Sequence, residues 1–216
     1  MTLSGEFIIL WTTKVGEKSL VLHTLSREWG RRSFITSVGK GSSMALYQPL
    51  SIINAEFSEN AKSELWRIKG VCSAFPLNGL RTDMKKNSIS LFMSEVLYRV
   101  LRDGSFEDGL YEWCRGCILT LDALQEDFSN FHLRFLMEFA SALGFSPSAE
   151  SLAPFAGEAF REVSDLLRLS LADFLVYPLS GARRSRIADV LLAYIGSHAE
   201  INLNVRSLGV LKELWN

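Results

Sequence analysis

GEFIILWTTKVGEKSLVLHTLSREWGRRSFITSV, residues 5–38, is the stretch that decides the fold. Its first part, Phe7-Ile8-Ile9-Leu10-Trp11, is an apolar run bounded by Gly5 and by the polar residues 12–16. Residues 19–25 then set apolar Leu20, Leu22 and Leu25 against polar positions, the alternation of a half-buried strand. Ser26-Arg27-Glu28-Trp29-Gly30 reads as a hairpin turn in which Gly30 is free to take a positive φ. Residues 32–38 resume with Phe34, Ile35 and Val38, and after the loop Gly39-Lys40-Gly41-Ser42-Ser43 two more strand-like runs cover 50–57 and 65–72. About five short strands with no helical pattern between them long enough for βαβ units predict a closed or nearly closed antiparallel barrel. Closure removes the exposed edges that such strands would otherwise present.

The period changes after Leu80. Ile89, Phe92, Met93, Val96, Leu97, Val100 and Leu101 fall on one stripe of a helix, and Leu110, Trp113, Cys114, Cys117, Ile118, Leu121 and Leu124 repeat the pattern. Phe131, Phe135, Leu136, Phe139, Ala140 and Leu143 do so again, ended by Gly144 and Pro147. Asp103-Gly104-Ser105 breaks the first two helices apart. Residues 146–160, rich in Ala, Ser, Pro and Gly, read as a loop. Further helices are expected over 162–174, 183–197 and 207–215. The division is an N-terminal barrel over 1–78 and an all-helical C-terminal domain over 79–216.

The 216 residues, 48% apolar and 22% charged, have the profile of an ordinary globular protein. Their strongest apolar stretch, 166–179, is interrupted by Arg168, Asp173 and Pro178, so no membrane span is expected. Residues 1–6 lack the pattern of a signal peptide. Three cysteines, an odd count, fit a reducing cytoplasm better than a disulfide framework. The net charge of -1 is unevenly spread: residues 1–80 hold 9 Lys+Arg against 6 Asp+Glu, and the rest 14 against 18. The positive potential therefore lies on the barrel.

Cys114-Arg115-Gly116-Cys117 invites a zinc or redox reading. The other possible ligands, Cys72, His23, His132 and His198, stand at no finger spacing, and both cysteines lie on an apolar helical stripe, so core packing is the favoured reading. The loop at 39–43 lacks the glycine spacing and following helix of a phosphate loop. Glu107, Asp108, Glu126 and Asp127 sit in polar turns. No nucleophile motif accompanies the histidines, so no catalysis is expected.

The better signal is cations interleaved with rings. Single strands are held by a positive groove and by aromatic faces on which bases stack. The barrel offers Lys14, Lys18, Arg27, Arg31, Arg32, Lys40, Lys62, Arg67 and Lys69, with Trp11, Trp29, Phe34, Phe57 and Trp66 as rings. Rings dominate small cores, so each is read first as packing, and phosphate contact and plain solvation stand as alternatives for the cations. Arg31 and Arg32 project to opposite faces of a strand, so one groove takes one of them. A second cluster, Arg183-Arg184-Ser185-Arg186, opens a helix where cations oppose the macrodipole, which suits either a solvated loop or an anionic partner.

The barrel carries Gly16-Glu17-Lys18-Ser19-Leu20-Val21-Leu22, Leu25-Ser26-Arg27-Glu28-Trp29-Gly30-Arg31, Gly39-Lys40-Gly41 and Leu46-Tyr47-Gln48-Pro49-Leu50. The helical part carries Glu95-Val96-Leu97-Tyr98, Phe131-His132-Leu133-Arg134-Phe135-Leu136, Leu143-Gly144-Phe145 and 206–214. In this order and spacing the segments resemble the RecO family of bacterial DNA repair, and the resemblance spans nearly the whole chain. It implies an α+β protein with an N-terminal oligonucleotide-binding (OB-type) antiparallel β-barrel followed by an all-helical domain. It also implies binding of single- and double-stranded DNA, annealing, and a complex with a RecR-type partner. That complex would help load the RecA recombinase onto strands coated by single-strand-binding protein, whose acidic-hydrophobic tail would dock on the helical domain. Two departures matter. The four zinc-binding cysteines of many members are missing, so no metal or other cofactor is expected. Ser42, Ser43, Met44 and Ala45 stand where many members carry cations.

The expectation is thus a non-catalytic recombination mediator. DNA contacts would come from Lys14, Lys18, Arg27, Arg31, Arg32 and Lys40, and the partner tail would meet Arg134, Phe135, Arg183 and Arg184. The alternative is an interaction scaffold whose barrel contacts a partner protein and binds DNA only within a complex.

Overall fold

The computed structural model describes residues 2–39, 43–59 and 65–214. Among them, β1 (Thr2–Val15), β2 (Ser19–Ser26), β3 (Gly30–Ser37), β4 (Ile52–Ser58) and β5 (Trp66–Ser73) form a closed barrel in the order β1-β2-β3-β5-β4. Neighbours are antiparallel except at the closing seam, where β3 and β5 run parallel through Phe34–Trp66 and Ile35–Arg67. This is the OB-type barrel, with a 3-10 turn at Met44–Tyr47 between β3 and β4.

Phe7, Ile8, Ile9 and Leu10 are all fully buried, which explains why the run does not alternate in polarity. Phe7 and Ile9 point into the barrel, where Phe7, Phe34 and Phe57 meet edge to face with centroids 5.0–5.7 Å apart. Ile8 and Leu10 point outward into the core of the helical part, joined there by Leu25, Leu50 and Ile52. A register shift between Ile9 and Trp11 leaves Leu10 as the extra residue of a β-bulge. Strict alternation would send Trp11 inward beside Ile9. The bulge turns it outward, paired with His23, onto the helices.

The helices are α1 (Asn78–Thr82), α2 (Met84–Val100), α3 (Leu110–Ala123), α4 (Phe131–Ala142), α5 (Ala149–Ala156), α6 (Phe160–Leu166), α7 (Leu171–Val176), α8 (Gly181–His198) and α9 (Ser207–Leu214). The stretch expected as a loop at 146–160 contains α5. Ser148 and Ser151 form a reciprocal capping box, and Leu152 and Ala156, four apart, bury its inner side despite Pro154. The single helix expected over 162–174 is two, because the Ser170 hydroxyl caps a new start at the Asp173 amide. Trp215 lies outside the described residues.

Helix α2 crosses the outer face of the barrel. Asp83 caps it through the amides of Lys85 and Lys86, and the Ser94 hydroxyl donates to the Leu10 carbonyl. The loop after α2 pairs with the start of β3: Arg31 N donates to Ser105 O at 2.9 Å and Gly104 N to Arg31 O at 2.7 Å. Gly30, at φ +57°, closes the hairpin as expected, and it also lets this loop approach, since a Cβ there would stand 2.1 Å from Ser105 O. Buried Glu95 of α2 holds the start of α9 by accepting from Ser207 N (2.8 Å), Ser207 Oγ (2.6 Å) and Arg206 N (3.1 Å).

Candidate nucleic-acid interface and docking pocket

Lys14 and Lys18 are exposed at the β1–β2 turn. Lys18 O accepts from Val38 N at 2.9 Å, which holds this turn beside the end of β3. A groove of about 530 Å³ opens there, between Ser19, Thr36 and Ser37 on one wall and Arg67, Lys69 and Gly70 on the other. The described pairing of β3 with β5 spans two residue pairs, and beyond it the strands part to form the groove. Arg67 is exposed, and Lys69 Nζ lies 3.4 Å from Glu56 Oε2 in a solvated pair that holds it weakly.

Arg31 and Arg32 are engaged within the fold, and Arg27 makes a solvated pair on its surface. Arg27 Nε lies 2.5 Å from Glu112 Oε1 on α3, with its guanidinium 5.8 Å from the Tyr111 ring. Arg31 is 3% exposed, set between Ser33 (3.3 Å), Asp103 (3.9 Å) and the ring of Tyr98 (5.5 Å). Burial lowers its pKa, against the pull of Asp103. Arg32 points to the other face, as strand geometry demands, and lies 4.5 Å over Trp66. Lys40 and Lys62 lie outside the described residues.

The rings pack within the fold, though Trp11, Trp29 and Trp66 stay partly exposed. Phe34 and Phe57 are fully buried; Trp29 and Trp66 lie 4.6 and 5.8 Å from Phe57, and Trp11 stacks on Tyr98. A polar chain crosses the same seam between barrel and helices, from Thr13 to His23 (3.0 Å), Ser33 (2.9 Å) and Asp103 (2.5 Å). Burial, helped by the nearby Arg31 cation and opposed by Asp103, lowers the His23 pKa to about 4, so the ring is neutral at physiological pH.

On the helical part, Trp113, Cys117 and Thr120 of α3, Phe131 and Arg134 of α4, and Leu171 of α7 surround an apolar pocket of about 250 Å³. Phe135 lies in its wall, stacked on Trp113 at 5.4 Å. Arg134 is therefore at an apolar pocket, but Arg183 and Arg184 are not among its lining residues. Arg183 sits 3.4 Å from Glu162, and Arg184 donates to Leu179 O at 2.7 Å. The sequence marked Arg134 and Phe135 but passed over Trp113, Leu171 and Glu138. The one available signal was the i,i+4 spacing of Arg134 and Glu138.

Cys114 and Cys117 are buried, and burial, with each thiol's charged or thiol neighbour, pushes their pKa values up, for Cys117 to about 12. A cysteine binds metal as its thiolate, and among the described residues no group of three or more His, Cys, Asp or Glu is placed to hold an ion. The side chains present do not fit the zinc site of many family members.

A closed β1-β2-β3-β5-β4 barrel joined to a helical part through a shared core defines an OB-type barrel protein with a helical C-terminal domain. A family model for the C-terminal part of recombination protein O matches residues 81–155. The DNA repair protein RecO of Phocaeicola vulgatus is 32% identical, with 97% of each chain covered. Those of Bacteroides fragilis and Porphyromonas gingivalis are 26% and 27% identical, covering 97% of both chains in the first case and 92% of this chain and 93% of the relative in the second. The chain belongs to the RecO family, and with it to DNA repair and recombination. Among the described residues no helix is long and apolar enough to cross a membrane.

Proposed function

We propose that the protein is a non-catalytic recombination mediator that binds and anneals single-stranded DNA, working with a RecR-type partner to help load the RecA recombinase onto strands coated by single-strand-binding protein. The observation that carries the DNA reading is the groove beside the β1–β2 turn, where exposed Lys18 and Arg67 flank Ser19 and Ser37. Cations fix the phosphate backbone and hydroxyls donate to its oxygens. Lys14, Lys18, Arg67 and Lys69 form this surface; Arg31 is buried at the seam instead, and Arg27 lies in a solvated pair with Glu112. The acidic-hydrophobic tail is assigned to the pocket of Trp113, Phe131, Arg134 and Leu171.

The test is anisotropy of a labelled oligonucleotide across salt concentration. Counterion release makes the affinity fall with a log-log slope of about -0.7 per phosphate neutralised on a single strand. Lys18→Ala with Arg67→Ala should flatten that slope and weaken all sequences alike. An unchanged slope removes the groove from the DNA path.

A second reading is favoured by the ion pairing of Arg27 with Glu112 and of Arg31 with Asp103, which leaves the barrel less free charge than its composition suggests. The barrel would then hold DNA only within a partner complex. Measuring binding with and without the RecR-type partner separates the two.

A further inference from the structure

Glu138 lies in the lining of the helical pocket, paired with Arg134, the cation that an incoming anion would meet there. Its Oε1 accepts from Arg134 Nε at 2.5 Å, and its Oε2 accepts from Trp113 Nε1 at 3.2 Å. Arg134 is further held by Nη1 donating to Leu169 O at 3.2 Å, with the Phe174 ring 5.6 Å from its guanidinium carbon. Arg134 and Glu138 are both about two-thirds or more buried, with side-chain exposures of 26% and 34%. Their charges are partly shielded from water and so act on a charged group entering the pocket more strongly than fully solvated ones would.

The pocket's cation is therefore already compensated. An apolar group can enter against Trp113, Phe131 and Leu171 without meeting a net charge. A carboxylate meets attraction from Arg134 and repulsion from Glu138 at similar range. The order Arg134 then Glu138 is also the less stabilising one for an i,i+4 pair on a helix, so helix stability is a weak reason for Glu138 to stand there.

We propose that Glu138 is a resident competitor in this pocket. A ligand carboxylate must share Arg134 with it or push it aside, so carboxylate-ended tails dock reversibly rather than tightly. The inference rests on the reading of this pocket as the tail site, and it names the residue that sets the strength of that docking.

The experiment titrates a labelled aspartate-rich peptide ending in phenylalanine, as the free acid and as the C-terminal amide, into the full-length protein and its variants. Glu138→Gln keeps an acceptor for Trp113 and removes the charge. It should bind the free acid about tenfold more tightly than the wild type does, while binding of the amide stays within about twofold. Arg134→Ala should abolish the preference for acid over amide. Equal gains for both peptide forms would mean a change of pocket shape and would overturn the proposal, as would weaker acid binding by Glu138→Gln. Thermal melts confirm that each variant is folded. If neither the wild type nor Glu138→Gln binds either peptide, the docking reading itself falls, an outcome distinct from binding that ignores residue 138.

Discussion

The ring of Trp11 stacks on that of Tyr98, centroids 5.6 Å apart and planes 17° from parallel, so a strand of the barrel and a helix share one aromatic contact. The contact exists because the bulge at Leu10 turns Trp11 out of the barrel. His23 and Arg31 close around the same Tyr98 ring at 5.0 and 5.5 Å. Barrel and helices are thus coupled through packing as well as through the chain. Tyr98→Ala should lower stability by about 2–4 kcal/mol, and Tyr98→Phe by less than about 1 kcal/mol. Urea denaturation of the two variants checks this.

The shared core makes a prediction about dissection. Residues 1–78 alone would expose Ile8, Leu10, Leu25, Leu50 and Ile52, each of which contributes roughly 1.5–3 kcal/mol when buried. The isolated barrel should aggregate or bind a hydrophobic dye, whereas the full chain should not. A monomeric, cooperatively folded fragment would show that the barrel does not need the helical core.

Two glycines separate conformational strain from steric contact. Gly16 and Gly30 both have positive φ, +66° and +57°, but a Cβ at Gly16 meets nothing within 4 Å. Gly16→Ala should therefore cost about 1–2 kcal/mol, the price of a left-handed backbone. Gly30→Ala adds a clash with the Ser105 carbonyl and should cost at least twice as much, read as a lower midpoint in thermal melts.

Glu95 ties stability to pH. Burial alone would raise its pKa, but hydrogen bonds from Ser207, Arg99 and Arg206 outweigh it and lower the pKa from 4.5. A depressed folded-state pKa means that the contribution is fully present above about pH 4.5 and is lost as pH falls through the folded value. Glu95→Gln should destabilise the protein at neutral pH and flatten the acid limb of its stability curve. A curve parallel to that of the wild type would assign the acid limb to other carboxylates.

Arg31 and Lys18 should separate cleanly. Arg31→Ala removes a buried side chain that donates to Ser33 and packs on the Tyr98 ring, so it should lower the melting temperature. Lys18→Ala is a surface change, and its stability effect should stay within about 0.5 kcal/mol. If Arg31→Ala leaves stability intact and weakens DNA binding instead, the barrel meets DNA on its helical side.

The amino-acid sequence by itself determined the barrel, the hairpin at Gly30 and the first three long helices, because these rest on local periods of 2 and 3.6 and on turn chemistry. It also placed Arg31 and Arg32 on opposite faces of one strand. It did not disclose α5, whose short apolar side is carried by Leu152 and Ala156 within an Ala, Ser and Pro background. The tertiary structure alone decided which cations remain free. Asp103 lies 3.9 Å from Arg31 and Glu112 lies 2.5 Å from Arg27, each brought there from a distant part of the chain. Whether an arginine faces solvent or a carboxylate depends on how two elements dock, and no local pattern encodes that. The same holds for the pocket at Arg134, whose walls come from α3, α4 and α7. Periodicity reveals which side of each helix is apolar, and only packing reveals where three such sides leave a gap.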